Sequence, residues 1–127
     1  MYTILVVDDS KNIREFCRRE LEKCAYRVLV AQNGQEALDL CDSDSPDLIV
    51  LDVRMPGLDG LETVRQLLKR SSTTPVVFHT SHRRDPRLER HGWPARACIE
   101  KSQDLGELKS AIARSLAEVE QEKRRTS

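Results

Sequence analysis

The stretch Leu48-Ile49-Val50-Leu51-Asp52-Val53-Arg54-Met55-Pro56-Gly57 decides the fold. A short run of branched apolar residues bounded by a Pro/Gly turn predicts a buried strand. A carboxylate at the carboxyl end of such a strand stands in the crevice where open α/β sheets bind ligands. A second run, Ile4-Leu5-Val6-Val7, ends the same way in Asp8-Asp9. Parallel pairing of these two strands brings three carboxylates to one place. That is a cation site with a candidate nucleophile in it.

Working outward, further apolar runs occur at 28–31, 76–78 and 97–99, with helical spacing between them. Ile13, Phe16, Cys17, Leu21 and Cys24 recur at helical steps, as one face of a helix does. Asn33 with Glu36 forms a capping box ahead of Ala37, Leu38 and Cys41. Asp59 is placed to cap a helix carrying Leu61, Val64, Leu67 and Leu68. Asp104 with Glu107 opens the last helix, whose inward face is Leu105, Leu108, Ile112, Leu116 and Val119. Strands alternating with helices at this spacing imply right-handed βαβ units and a parallel sheet covered on both faces. The expected fold is α/β: a doubly wound, five-stranded parallel sheet in the order 2-1-3-4-5. The segment 82–92 breaks the pattern. Asp85, Pro86 and Gly92 can start and stop a helix, but Leu88 is its one apolar residue, so a short or irregular helix is expected.

Composition bounds the function. The chain has 127 residues, 39% hydrophobic and 33% charged, which fits one globular domain. Lysine plus arginine and aspartate plus glutamate both number 21, so no global charge points to nucleic acid or membrane. No apolar stretch suits a membrane helix and no signal-peptide pattern opens the chain. Cys17, Cys24, Cys41 and Cys98 lack metal or redox spacing, and buried free thiols in a reducing cytoplasm are expected. Residues 1–120 are expected as the domain and 121–127 as a charged tail prolonging the last helix.

The chemistry follows from the strand ends. Asp8, Asp9 and Asp52 repel one another unless a cation sits among them, and hard oxygen donors suit Mg²⁺ or Mn²⁺. A bound cation keeps Asp52 ionised and nucleophilic. The fourth run ends in Thr80 and the fifth in Lys101. A cation, a hydroxyl and an ammonium around one carboxylate form a clamp for a transferring phosphoryl group. Taken singly, each piece has an ordinary explanation: a helix cap at Ser10, a strand-end threonine, a surface lysine, a tight turn over residues 55–60. All of them fall at carboxyl ends of predicted strands, in the right order.

With these residues in place, the sequence resembles the receiver domain of bacterial two-component response regulators, the CheY-like, flavodoxin-like fold. The resemblance is carried by residues 4–10, 33–38 and 47–52, by Met55-Pro56-Gly57-Leu58-Asp59-Gly60, by Thr80, and by Ile99-Glu100-Lys101-Ser102. It implies that Asp52 accepts a phosphoryl group from a histidine of a sensor histidine kinase or phosphotransfer protein. It implies that Asp9 and Asp52 ligate Mg²⁺ directly, Asp8 through water, and Arg54 through its backbone carbonyl. Thr80 and Lys101 are then expected to bond the phosphoryl oxygens, and slow autodephosphorylation is expected rather than metabolic catalysis.

The departures from the family pattern are local. Cys98 takes the place of an aromatic residue on the fifth strand, and Ser102 that of a proline. Ser81 stands where a very small residue is favoured, and Arg54 and His82 flank the mouth of the site. Arg83, Arg84, Arg87, Arg90 and Arg96, with Trp93-Pro94, make the 81–98 region a candidate docking surface for a downstream protein. Solvated arginines over a poorly packed helix account for the same residues. The expectation is a stand-alone cytoplasmic receiver, monomeric or dimerising on phosphorylation, with no direct contact to nucleic acid or membrane. The alternative is a pseudo-receiver, a binding module independent of phosphorylation. A haloacid-dehalogenase-type phosphatase is disfavoured, because Arg54 stands where its second aspartate belongs.

Overall fold

Local sequence decides where each element starts. In the computed structural model, which describes residues 1–70, 72–81, Leu88 and 95–126, strand β1 spans Thr3–Val7 and helix α1 spans Lys11–Glu22. Ser10 caps α1, its hydroxyl accepting from the Ile13 N–H at 3.4 Å. Strand β2 (Arg27–Ala31) leads to α2 (Gly34–Asp44), where Asn33 Oδ1 accepts from the Glu36 N–H at 2.8 Å. Strand β3 (Leu48–Leu51) leads to α3 (Gly60–Lys69), where Asp59 Oδ1 accepts from the Glu62 N–H at 2.9 Å. Strands β4 (Val76–Thr80) and β5 (Ala97–Glu100) precede α4 (Gly106–Thr126).

The five strands form one parallel sheet in the order β2-β1-β3-β4-β5, as the alternation of patterns predicts. Strand periodicity of two then sorts the core into two layers. Leu5, Val7, Ile49, Leu51, Val76 and Phe78 pack under α2 and α3, against Ala37, Leu38, Leu61, Val64 and Leu67. Ile4, Val6, Leu48, Val50 and Val77 pack under α1 and α4, against Cys17, Leu21, Leu108, Ala111, Ile112 and Leu116. Near-continuous apolar strands are the mark of a sheet buried on both faces.

Several expectations shift in detail. Strands β4 and β5 run on to Thr80 and Glu100, past the ends of their apolar runs, because the ladder to neighbouring strands continues. Helix α1 stops at Glu22, leaving Cys24 exposed rather than buried; Cys41 and Cys98 are half-buried, and no disulfide joins any of the four. Leu68 is 51% exposed, since the core-facing stripe of α3 passes through Leu61, Val64 and Leu67 instead. Asp104 does not cap α4 through its third residue. Its Oδ1 accepts from the Gly106 N–H at 2.8 Å, while the Lys109 N–H bonds the Leu105 carbonyl at 2.8 Å. Residues 121–126 continue α4 without a break, with Lys123, Arg124 and Arg125 in its last turn, where cations favour the helix dipole.

The expected helix over 82–92, the arginines at 83, 84, 87 and 90, and Trp93-Pro94 lie outside the described residues, apart from Leu88. Leu88 is helical, half-buried, and packs against the layer under α2 and α3. Arg96 is described, and its guanidinium is engaged within the molecule. It forms two bonds to Glu122, at 2.6 and 3.0 Å, and one to Glu118 at 3.3 Å, pinning the start of β5 to α4. Among the described residues no helix is long and apolar enough to cross a membrane.

Leu5 sits fully buried on β1, which is paired on both edges. Leu5→Ala is expected to cost about 3 kcal/mol of unfolding free energy, measured by urea denaturation at unchanged slope. A loss well below about 1 kcal/mol would show that β1 is not the centre of the core.

Candidate functional site

Register places the site. Val7 pairs with Leu51 and Leu51 with Phe78, so one step further Asp8, Asp52 and His79 stand in one row across three strands. The ladder does continue that step: the Asp52 N–H bonds the Val7 carbonyl at 3.0 Å, and the Asp8 N–H bonds the Ala31 carbonyl at 3.1 Å. Side chains in this row share the face of Val6, Val50 and Val77, turned toward α1 and α4. Asp8 and Asp52 are buried, whereas Asp9 points to solvent.

Carboxylate oxygens of Asp8, Asp9 and Asp52 all lie within 4.8 Å of one another. Lys101, one residue past β5, reaches into the same space. Its Nζ stands 2.8 Å from Asp8 Oδ2 and 3.0 Å from Asp52 Oδ2. The backbone aims it, since the Lys101 N–H donates to the Thr80 carbonyl at 3.0 Å. Thr80 itself is fully buried at the end of β4. Asp8 is held from its other oxygen by the Ser10 N–H at 2.9 Å, and its backbone carbonyl accepts from Arg14 Nη1 at 2.8 Å.

Burial raises the Asp52 carboxyl above its ordinary range; the Lys101 ammonium opposes this, Asp8 reinforces it, and a bond from the Arg54 backbone opposes it again. Burial pulls the Lys101 ammonium down, yet its bonds to Asp8 and Asp52 carry it net upward. The two shifts look contradictory for one ion pair. They agree once Asp8 and Asp52, both buried, are seen to share the single lysine: Lys101 gains two partners, while Asp52 has only a share in one. Three anions and one cation leave excess negative charge among oxygen donors alone, which fits a hard divalent cation.

The structure thus brings together Asp8, Asp9, Asp52 and Lys101, with Thr80 at the neighbouring strand end and the Arg54 backbone against Asp52. Two residues escaped sequence reasoning. His79 lies in the same row, is 4% exposed, and its Nε2 has no hydrogen-bond partner among the described residues. A histidine inside an apolar run was the available signal. Gly60 reads in the sequence as the end of a turn, although a glycine just inside a helix start is itself a sign of close backbone approach.

A family model described as the response regulator receiver domain matches residues 4–113. The response regulator MprA of Mycolicibacterium vanbaalenii is 53% identical over 78 residues, 61% of this chain and 34% of that protein. The chain therefore spans about a third of the length of the curated relatives it matches. Among solved structures, the response regulator TrrA of Thermotoga maritima in complex with Mg²⁺-BeF superposes with a TM-score of 0.82 at 36% identity, covering 90% of this chain and 98% of that one. TrrA in complex with the histidine kinase ThkA gives 0.79 at 36% identity, over 90% and 97% of the two chains. The chemotaxis protein CheY4 of Vibrio cholerae gives 0.82 at 30% identity, over 90% and 98%.

Burial, aided by the Lys101 charge, lowers the His79 imidazole from 6.5 to about 4. Between those values the unfolded chain binds a proton that the folded chain does not, so stability falls as pH drops from 6.5 toward 4. The wild type is expected to lose up to about 3 kcal/mol through this group across the window. His79→Leu should flatten the pH dependence of the urea midpoint there; an unchanged slope would assign the acid sensitivity elsewhere.

Proposed function

This chain belongs to the response regulator receiver family, and on that premise we propose that it is a phosphorylation-dependent signalling switch with Asp52 as phosphoacceptor. Receiver domains are signalling modules of two-component systems rather than metabolic enzymes. The observation that carries the proposal is the position of the Asp52 carboxylate. It is buried at a strand end, 3.0 Å from the Lys101 ammonium, inside a three-carboxylate cluster that fits a divalent cation.

In this proposal Asp9 and Asp52 would hold Mg²⁺ directly, with Asp8 acting through water and the Arg54 carbonyl as a further oxygen donor. When bound, it neutralises the carboxylates and draws the phosphoryl oxygens toward them. Mn²⁺ suits the same oxygen donors. An Asp52 oxygen attacks phosphorus, the phosphorus–nitrogen bond of a phosphohistidine breaks, and its electron pair leaves with the imidazole. Lys101, already bonded to Asp52 Oδ2, neutralises charge on the transferring group. Thr80, buried one strand over, supplies a hydroxyl to a phosphoryl oxygen once the group is in place. Its inward movement would couple the site to β4 and β5.

The donor is a sensor histidine kinase or phosphotransfer protein, in line with the kinase complex of the similar TrrA. The product is a changed affinity for a downstream protein in the cytoplasm. The basic surface proposed for that contact is narrowed by one finding. Arg96 is committed to Glu118 and Glu122, so it serves the β5–α4 junction rather than a partner.

Incubation with acetyl phosphate and Mg²⁺ is expected to add one phosphoryl group to the wild type by intact-protein mass, and none to Asp52→Asn. An adduct persisting in Asp52→Asn moves the acceptor elsewhere. No adduct in folded wild type leaves a pseudo-receiver, a binding module working without phosphorylation. Asp9→Ala should weaken Mg²⁺ binding by about tenfold or more in calorimetry, since even outer-shell partners of a metal count on that scale. Equal affinity in variant and wild type would remove Asp9 from the ligand set.

A further inference from the structure

Helix α3 begins at Gly60, where glycine is a poor helix former. The reason lies behind Asp52 rather than in the helix. A methyl group on Gly60 would be driven into the Asp52 carbonyl oxygen and would stand 2.9 Å from both the Asp52 carbonyl carbon and Val53 Cα. All three are backbone atoms, so no rotamer change relieves the clash. The Gly60 N–H also donates to the Val53 carbonyl at 2.8 Å. The loop between them reverses at Gly57, with φ +75°, and is tied at its far end by Asp59. There Asp59 Oδ1 accepts from the Glu62 N–H at 2.9 Å, and Thr63 Oγ1 donates to the Asp59 carbonyl at 2.7 Å. The Asp52 carboxylate lies at one end of this closed loop, and the Arg54 backbone, which bonds that carboxylate, lies within it.

We propose that Gly60 is a positioning residue for the cation and phosphoryl site: it lets α3 rest on the Asp52 backbone and so fixes the Asp52 carboxylate and Arg54 carbonyl relative to Asp8 and Asp9. The proposal rests on the receiver function above. Both groups belong to one short segment whose back is in contact with the helix start. A helix forced outward at Gly60 moves them as a unit, while Asp8 and Asp9 stay at the end of β1. A carboxylate cluster that spans two strands tolerates such a shift poorly, because cation affinity depends on all donors meeting one point.

The test compares full-length wild type, Gly60→Ala and Leu67→Ala, each shown to be folded by circular dichroism. Leu67 is buried two turns along the same helix, so its truncation loosens α3 without touching the loop. Gly60→Ala is expected to bind Mg²⁺ about tenfold more weakly by calorimetry and to accept phosphoryl groups more slowly. Leu67→Ala is expected to lower the unfolding midpoint yet keep wild-type Mg²⁺ affinity. Wild-type affinity in folded Gly60→Ala overturns the proposal, as does an equal loss of affinity in Leu67→Ala. Should Gly60→Ala fail to fold, Asp59→Ala loosens the same helix start while keeping the glycine. Weakened Mg²⁺ binding there supports the positioning role, and unchanged binding overturns it. A wild type that binds no Mg²⁺ overturns the receiver function as well, which separates the two failures.

Discussion

Parallel pairing of β1 with β3 forces Asp8 and Asp52 into one row, whether or not anything neutralises them. Like charges this close repel, and their burial makes the repulsion expensive. Lys101 answers part of it by standing between the two, at 2.8 and 3.0 Å. That bridge ties the end of β5 to the ends of β1 and β3, across the intervening β4. The bridge is incomplete by charge, because Asp9 joins the cluster and one ammonium cannot balance three carboxylates. A site left negative in this way suits a divalent cation, while the raised Asp52 carboxyl comes first from its burial, with Asp8 adding to it.

The opposite ends of the strands are held by a different means. Arg96 and Glu122 meet in a two-pronged pair, and Lys109 of α4 reaches Glu20 of α1 at 3.1 Å. These contacts are largely exposed and each contributes little stability. Their effect is directional: α4 is fastened to β5 at one end and to α1 near its start. On the side of α2 and α3, the start of α3 meets the site through the backbone itself.

Much of this was legible in residue order. The five apolar runs and the caps at Ser10, Asn33 and Asp59 follow from periodicity and capping chemistry, which act over a few residues, and the strand order from the few topologies open to alternating strands and helices. Asp8, Asp9, Asp52, Thr80 and Lys101 stood out because strand ends in a parallel sheet share one edge. Where sequence reasoning erred, a neighbouring element had overridden local pattern. Cys24 fits the apolar stripe of α1, but the chain leaves the helix before reaching it. Leu68 belongs to the helical pattern of α3 yet faces solvent, since the sheet covers only a narrow arc of that helix. Arg96 reads as a surface cation until α4 brings two glutamates beside it.

By itself, then, the sequence determined the fold class, the element order and the residue types gathered at one edge of the sheet. Those depend on short-range periodicity and on the few topologies a βαβ chain can adopt. Only the tertiary structure decided that Lys101 bridges Asp8 and Asp52 rather than facing solvent. It alone placed His79 in the same row, its Nε2 without a partner among the described residues, and Gly60 against the Asp52 carbonyl. Each of those facts is a contact between residues far apart in the chain. Such contacts are set by strand register and helix docking, and no local pattern encodes them.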